Sequence, residues 1–492
     1  MPVTEAGFAA TLGSWARRPG PVYRRLADGL KEAIERGEIG AATRLPAERT
    51  LARLLAVSRT TVVAAYELLR QQRLVESRQG SGTRVVGGVR RAGPFKEDSA
   101  GSFRRHPVYR RLIEGSGGTI EFLGAHLPAC EEVRRELGVP DRAALAELAK
   151  GAGYMPMGLP ALRRAVAAHV SGWGLPTTEA QVLVTSGAQQ AIGLATALFL
   201  DRGDPVLVEN PTYLGAIDIF AAQGARLVPV PLGSGGVDVE ALRAALQGAR
   251  PRLVYLMPTY QNPTGAVLSE RDRRRVARLA EEFGVPVVED NTLADLSLGG
   301  APPPPIAAFA GKTPVLTIGS MSKLFWGGLR VGWIRASEEV LARAARLKIM
   351  ADLGGSLIGQ VAAARLLADA AKVKQARRRE IRDRLDRLTR LLGKHLPSWS
   401  WAPPAGGLSL WVKLPHGDAG EFAQVALRHG VSVVPGPLAS PDGGCAAHLR
   451  LPYVLEAAAM TEGVLRLARA WSAYSAHAAP AKRIRTDLGV LV

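Results

Sequence analysis

The sequence predicts two folded parts of different class. One is a small N-terminal α+β module of helices closed by a short hairpin. The other is a larger α/β domain, a mostly parallel sheet covered by helices with a small α+β portion at its C-terminal end. Three observations lead there. Six short apolar runs, QVLVTS, PVLVEN, ARLVPV, RLVYLM, VPVVED and PVLTIG, alternate with Ala/Leu/Arg-rich helical stretches between residues 119 and 475. Each run is bounded by Gly, Pro or Asn, the pattern of strands buried on both faces. Residues 1–88 instead carry short helical patterns that end in Gly-rich turns. Residues 89–118 mix Arg, Gly, Ser and Pro without sustained periodicity and read as a linker. The remainder of the chain, AHAAPAKRIRTDLGVLV at 476–492, is expected to be a poorly ordered tail.

A chain of 492 residues is too long for one compact core, which agrees with this division. The net charge of +19 points either to an anionic partner or to the arginine- and alanine-rich usage of a GC-rich genome. Two cysteines, Cys130 and Cys445, are far apart and lack metal-ligand neighbours, so neither a disulfide framework nor a metal site is expected. The first residues, MPVTEAGFAA, lack the charged start and apolar stretch of a signal peptide. The longest apolar run, AIGLATALFL at 191–200, is too short to cross a bilayer, so no membrane partner and a cytoplasmic location are expected.

In the N-terminal module, PVYRRLADGLKEAIERGEI places Leu26, Leu30 and Ile34 on one helix face. LPAERTLARLLAVSRTTVVAAYELLRQQRLV then reads as two helices separated by a turn around Ala56 and Val57. Ser58 is the expected N-cap of the second, which presents Arg59, Thr60 and Thr61 at its start. That end of a helix-turn-helix meets base edges and phosphates. ESRQGSGTRVV follows as two short strands around a Gly-rich turn, a candidate wing. Residues 1–90 hold 15 Lys/Arg against 8 Asp/Glu, the excess a phosphate-backbone binder needs.

In the larger domain the most informative stretch is GSMSKLFWGGLRVGW, Gly319 to Trp333. Lys323 follows the buried run PVLTI, and desolvation there lowers a lysine's pKa toward the nucleophilic free amine. Hydroxyls at Ser320 and Ser322 and the guanidinium of Arg330 suit a phosphate dianion. A Schiff-base lysine beside a phosphate cup is what pyridoxal phosphate requires. TSGAQQAI puts Gly187, Ala188 and Gln189 at a strand-to-helix turn whose N–H groups face an anion, although many such turns look alike. Tyr213, in ENPTYLG, reads either as an aromatic stacked on a flat cofactor or as core packing. In YQNPTG, Asn262 can turn its amide toward the ring hydroxyl of the cofactor. Asp290, ending VVED, can pair with a pyridinium nitrogen. Arg450 reads as a clamp for a substrate carboxylate or as a strand-edge arginine.

The segment from Leu45 to Val85 resembles the winged helix-turn-helix of GntR-type bacterial regulators over nearly its whole length. The resemblance implies DNA contacts at Arg49, Arg59, Thr60 and Thr61, with Gln79 and Gly80 on the wing. Val63 stands where some relatives carry another arginine. Residues 120 to 475 resemble the fold-type I pyridoxal-phosphate-dependent aminotransferases, because Gly187-Ala188, Tyr213, Asn262, Asp290, Lys323, Arg330 and Arg450 follow in their order. GYMPMGLPALRRAV at 153–166 resembles their entry segment, which implies that Tyr154 reaches the cofactor phosphate of the opposite subunit in a homodimer. The pairing of the two parts resembles the MocR/GabR family of bacterial transcriptional regulators. It implies a factor that binds double-stranded DNA and senses pyridoxal phosphate or a small amino compound. One departure is Thr292, where relatives usually carry a tyrosine that bonds the cofactor. A threonine is too short to replace a phenol at the same distance, so weak transamination is implied. An active aminotransferase with a secondary DNA-binding part is the alternative.

Overall fold

The computed structural model describes residues 12, 15, 20–35, 38–55, 57–78, 82–86 and 118–478. The N-terminal part has its own core. Helix Val22–Glu35 buries Leu26, Leu30, Ala33 and Ile34, the expected face, against helix Arg59–Gln71. Helix Glu48–Leu54 and the turn after it lead to Ser58, whose hydroxyl caps the next helix by accepting from the Thr61 amide at 3.1 Å. Tyr66, fully buried, donates to the Pro46 carbonyl at 2.8 Å and ties that helix to the chain before Glu48. The expected hairpin forms as β1 (Val75–Arg78) and β2 (Gly82–Val85), paired antiparallel.

All six apolar runs become strands of one eight-stranded sheet. They are β4 (Val182–Thr185), β5 (Pro205–Asn210), β6 (Arg226–Gly233), β8 (Leu253–Leu256), β9 (Val287–Asp290) and β10 (Val315–Ser320). With β7 (Gly236–Val237) and β11 (Gly332–Arg335) the order is β4-β11-β10-β9-β8-β5-β6-β7. Four of the expected strands, β4, β8, β9 and β10, are buried along their whole length, as a sheet covered on both faces requires.

Two features depart from the simple parallel sheet. β11 runs antiparallel to both neighbours, and β7 antiparallel to β6. The physical reason for the first is connection length: residues 321–331 are too few for a parallel crossover. The smaller portion is a five-stranded sheet, β12 (Ser400–Trp401), β13 (Ser409–Lys413), β15 (His448–Pro452), β14 (Val431–Pro435) and β3 (Ile120–Phe122), in that order. β3, the first strand of the larger domain, pairs in parallel with β14 some three hundred residues later. The final helix, Ala457–Ala478, runs three residues into the segment expected to be a tail. The expected linker lies outside the described residues except for Gly118, as does the rest of the tail beyond Ala478.

The edge formed by the carboxyl ends of β4, β9 and β10 positions the site. There the backbone of β11 approaches the β4 turn so closely that a Cβ at Gly332 would stand 2.8 Å from Gly187 Cα and 2.9 Å from the Gly319 carbonyl oxygen. These are backbone atoms that cannot swing aside. Gly332→Ala is expected to destabilise the larger domain by about 1–3 kcal/mol, the usual cost of overpacking. A lowered midpoint in urea unfolding would show it, and an unchanged midpoint would refute the contact.

Candidate cofactor site and nucleic-acid interface

A cavity of about 480 Å³ opens at that strand edge. Its lining includes Ala188, Gln189, Tyr213, Asn262, Asp290, Thr292, Ser320, Ser322, Lys323, Arg330 and Arg450, so eleven of the expected residues converge on one space. Gly187 adjoins it as the N-cap of helix Ala188–Phe199, in the left-handed region at φ 116°, with the Arg330 guanidinium against its Cα face. Arg330 itself reverses the chain at φ 52° and donates to the Ser186 carbonyl at 2.7 Å. A helix N-terminus, a guanidinium and the hydroxyls of Ser320 and Ser322 thus face one place, the chemistry of a phosphate site.

Asp290 ends β9 at 2% exposure. Its Oδ2 accepts from the Tyr255 hydroxyl at 2.8 Å and its Oδ1 from the Thr292 amide at 2.9 Å. Behind it, Glu209 is buried, accepts from the Met257 amide at 3.0 Å, and has its pKa pushed up to about 7 by burial. Lys323 sits on the one-turn helix Met321–Leu324 after β10, and its Nζ donates to the Ala125 carbonyl at 2.7 Å. Burial first, and the charge of Arg450 second, pull its pKa down from 10.5 to about 8, against the opposing pull of Asp290. Arg450, on β15 at 5% exposure, donates to the Leu123 carbonyl and, at 3.5 Å, to Asn262 Oδ1. Burial lowers its pKa to about 10.

The residues present fit pyridoxal phosphate. Two buried polar atoms in the cavity wall, Thr292 Oγ1 and Arg450 Nε, have no hydrogen-bond partner among the described residues, which a polar occupant would supply. Thr292 therefore faces the site, and its hydroxyl is open to an occupant. Tyr154 does not line this cavity; it stands 69% exposed on the surface. Sequence reasoning missed Tyr255 and the segment Leu123–His126, which lies against Lys323 and Arg450. A tyrosine inside a buried strand such as RLVYLM was a usable signal, because its hydroxyl must find a partner. Nothing local marks Leu123–His126, whose place depends on the long-range pairing of β3.

In the N-terminal part, Arg49, Ser58, Arg59 and Thr60 are exposed, and Thr61 is half-buried at the same helix start. Ser58 and Thr60 share a hydroxyl hydrogen bond at 2.7 Å, and Arg59 pairs with Glu48 at 3.1 Å. Gln79 and Gly80 lie outside the described residues. Among the described residues no helix is long and apolar enough to cross a membrane, and no cluster of metal-ligating side chains occurs.

Fold and site together define an aminotransferase-fold protein with a winged-helix DNA-binding domain at its N-terminus. Residues 121–467 match the family "Aminotransferase class I and II" and residues 22–85 match "Bacterial regulatory proteins, gntR family". The HTH-type transcriptional regulator YisV of Bacillus subtilis, itself uncharacterised, is 30% identical over 90% of this chain and 95% of its own. The probable rhizopine catabolism regulatory protein MocR of Rhizobium meliloti is 28% identical over 77% of this chain and 78% of its own. Among solved structures, LysN, the α-aminoadipate aminotransferase of Thermus thermophilus complexed with N-(5'-phosphopyridoxyl)-L-leucine, superposes with a TM-score of 0.69. It is 34% identical, and the match covers 78% of this chain and 98% of LysN. The chain belongs to the MocR-type HTH transcriptional regulators, in which a GntR domain is fused to an aminotransferase class I and II domain. The aminotransferases of this fold are pyridoxal-phosphate-dependent.

The depressed pKa of Lys323 carries a prediction. Only the neutral amine attacks a carbonyl, so uptake of pyridoxal phosphate by the cofactor-free protein should accelerate with pH, reach half its maximum near pH 8 and level off about one unit above. An unperturbed lysine would reach only half its maximum near 10.5 and still be gaining rate there. Stopped-flow absorbance across pH 6.5–10.5 separates the two profiles.

Proposed function

We propose that this chain is a ligand-responsive DNA-binding regulator whose aminotransferase-like domain holds pyridoxal phosphate on Lys323 and uses it to sense an amino compound. The observation that carries the reading is the convergence of a low-pKa lysine, a buried carboxylate and a phosphate-binding turn in one cavity of a chain that also presents a DNA-reading helix. When bound, pyridoxal phosphate supplies an electrophilic carbon and an electron-withdrawing ring. Lys323 provides the amine that bonds it. Asp290, oriented by Tyr255 and the Thr292 amide, holds the proton on the ring nitrogen. The Ala188 helix N-terminus and Arg330 grip the phosphate, Tyr213 packs on the ring, and Arg450 takes the carboxylate of the amino compound. The domain bounds of this reading are 1–88 for DNA binding, 89–118 for the linker and 119–475 for the sensor.

A homodimer completes the site. Gly354 lies against the Met155 backbone, so the segments that carry exposed Leu353 and exposed Tyr154 meet, and Met350 and Ile358, close to Gly354 in sequence, are exposed as well. Such a patch of large apolar side chains near the cavity suits a second copy, whose cofactor phosphate Tyr154 would reach. On the DNA side, Arg49, Arg59, Thr60 and Thr61, with Gln79 and Gly80 of the wing, form the contact surface, and Ser58 fixes the helix start.

A second reading, an active aminotransferase, is favoured by 37% identity over 310 residues to the 2-aminoadipate transaminase of Thermus thermophilus, which adds dicarboxylic amino acids to the compounds worth testing. Sustained release of a keto acid from one amino donor would establish it. In the regulator reading Lys323→Ala abolishes the visible absorbance of bound cofactor and the effect of amino compounds on DNA affinity, while basal binding to the DNA upstream of its own gene persists. Retention of that absorbance would overturn the Lys323 assignment. Arg49→Ala should weaken binding across DNA sequences and lower the slope of log K against log salt by about 1, measured by fluorescence anisotropy.

A further inference from the structure

The turn that leads from β4 into helix Ala188–Phe199 is held from both sides at Ser186. Its carbonyl accepts from Arg330 Nη2 at 2.7 Å, and its amide donates to Gln190 Oε1 at 2.9 Å. The Thr185 hydroxyl adds a bond to the Gly187 carbonyl at 3.0 Å. The first amides of a helix have no intrahelical partner, so those beyond this turn remain for an anion. Gln190 is itself held. Its Nε2 donates at 2.7 Å to Asp352 Oδ2, at the end of helix Glu338–Asp352. The amide has one orientation, because its oxygen meets an N–H and its nitrogen meets a carboxylate.

Asp352 occupies an unfavourable place for an acid. It ends its helix, where a carboxylate opposes the helix dipole. Its second oxygen accepts from Lys348 Nζ at 2.7 Å and from the Gly354 amide at 3.0 Å. Burial would raise its pKa, but the bonds from Gln190 and Lys348 outweigh it, and the carboxylate stays charged at neutral pH. Lys348 is 1% exposed, so an ammonium is buried to match that charge. The two helices pack on each other, and apolar side chains would serve that packing at least as well.

We propose that Gln190 and Asp352 are positioning residues for the cofactor phosphate. Asp352, neutralised by Lys348, orients Gln190, and Gln190 fixes the Ser186 peptide. The Ala188 and Gln189 amides and Arg330 then meet the phosphate together. Neither Gln190 nor Asp352 lines the cavity, so both act through the turn. This rests on the sensor reading above, in which that turn grips the phosphate. The chemistry of the relay makes it sensitive to a small change. Asp352→Asn replaces one acceptor oxygen by an N–H donor, although all three partners of the carboxylate donate. The least disruptive outcome loses the bond to Gln190, or turns that amide over and loses its bond to Ser186.

The test titrates full-length, cofactor-free protein with pyridoxal 5'-phosphate and with 5'-deoxypyridoxal, which has the same ring and aldehyde but no phosphate. Absorbance reads the bonding of each to Lys323. Asp352→Asn and Gln190→Met are each expected to weaken pyridoxal 5'-phosphate about ten-fold and to leave 5'-deoxypyridoxal unchanged. A merely structural role would weaken both compounds alike. Gln190→Met leaves the Lys348–Asp352 pair intact, so it carries the test if Asp352→Asn does not fold. An affinity for pyridoxal 5'-phosphate that is unmoved in either folded variant, or a loss shared by 5'-deoxypyridoxal, overturns the proposal and leaves the sensor reading standing. Failure of wild-type protein to bond pyridoxal 5'-phosphate at Lys323 overturns both.

Discussion

A carboxylate cannot lie at 2% exposure inside a protein without partners, and Asp290 sets the terms on which the larger domain's site is built. One oxygen is satisfied by a tyrosine from the neighbouring strand and the other by an amide two residues on. The parallel pairing of β8 with β9 sets Tyr255 beside Val288, two residues before the carboxylate it must reach. The pairing of β9 with β10 sets Ile318 beside Asp290, so that the turn after β10 delivers Lys323 to the same edge. Charge then decides the lysine's state. Asp290 favours the ammonium, Arg450 opposes it, and desolvation is the largest effect, which leaves an amine that titrates near 8. The acid on which a pyridinium would rest and the nucleophile that would bond the cofactor therefore depend on one strand register.

Much of this was legible in the sequence because it is local. Continuous apolar runs bounded by turn residues gave all six main strands, and the residue types at their carboxyl ends and in the turns after them, with Arg450 from the smaller sheet, gave eleven residues of the cavity. The Ser58 cap was legible for the same reason, since a cap and its amide lie three residues apart. What was not legible depends on distant pairing. β3 finds β14 across most of the domain, and only that pairing brings Leu123 to Arg450 and Ala125 to Lys323. His126 follows from the same event. A histidine in a loop between LGA and LPA carries no periodicity that points to a cavity. Tyr154 illustrates the other limit: its expected partner belongs to a second chain, and a single chain shows only that it protrudes.

The two parts of the chain touch. Arg53, on the first helix of the helix-turn-helix, stands 3.8 Å from Glu421 on helix Ala419–Arg428. Glu421 also accepts from the Tyr474 hydroxyl at 3.1 Å, which fixes its carboxylate on the larger domain. That helix packs on β14, and β14 pairs with β15 and β3, the strands that carry Arg450 and lead into Leu123. A contiguous set of packed elements therefore runs from the cavity wall to the DNA-reading part, the physical substrate that coupling between two sites requires.

Magnitudes decide how such a contact behaves. Arg53 is 67% exposed, and ion pairs in that setting contribute about 0–1 kcal/mol. A ligand that distinguishes two conformations typically does so by about 1–3 kcal/mol. The contact is thus weaker than the bias a ligand in the cavity can exert, whereas the cores on either side are each buried and self-contained. In the proposed sensor, change on ligand binding would fall at this joint before it reaches either core, because the weakest linkage in a chain of packed bodies yields first. A weak joint is also what a sensor needs: a strong one would hold the DNA-reading helix in one place whatever occupied the cavity.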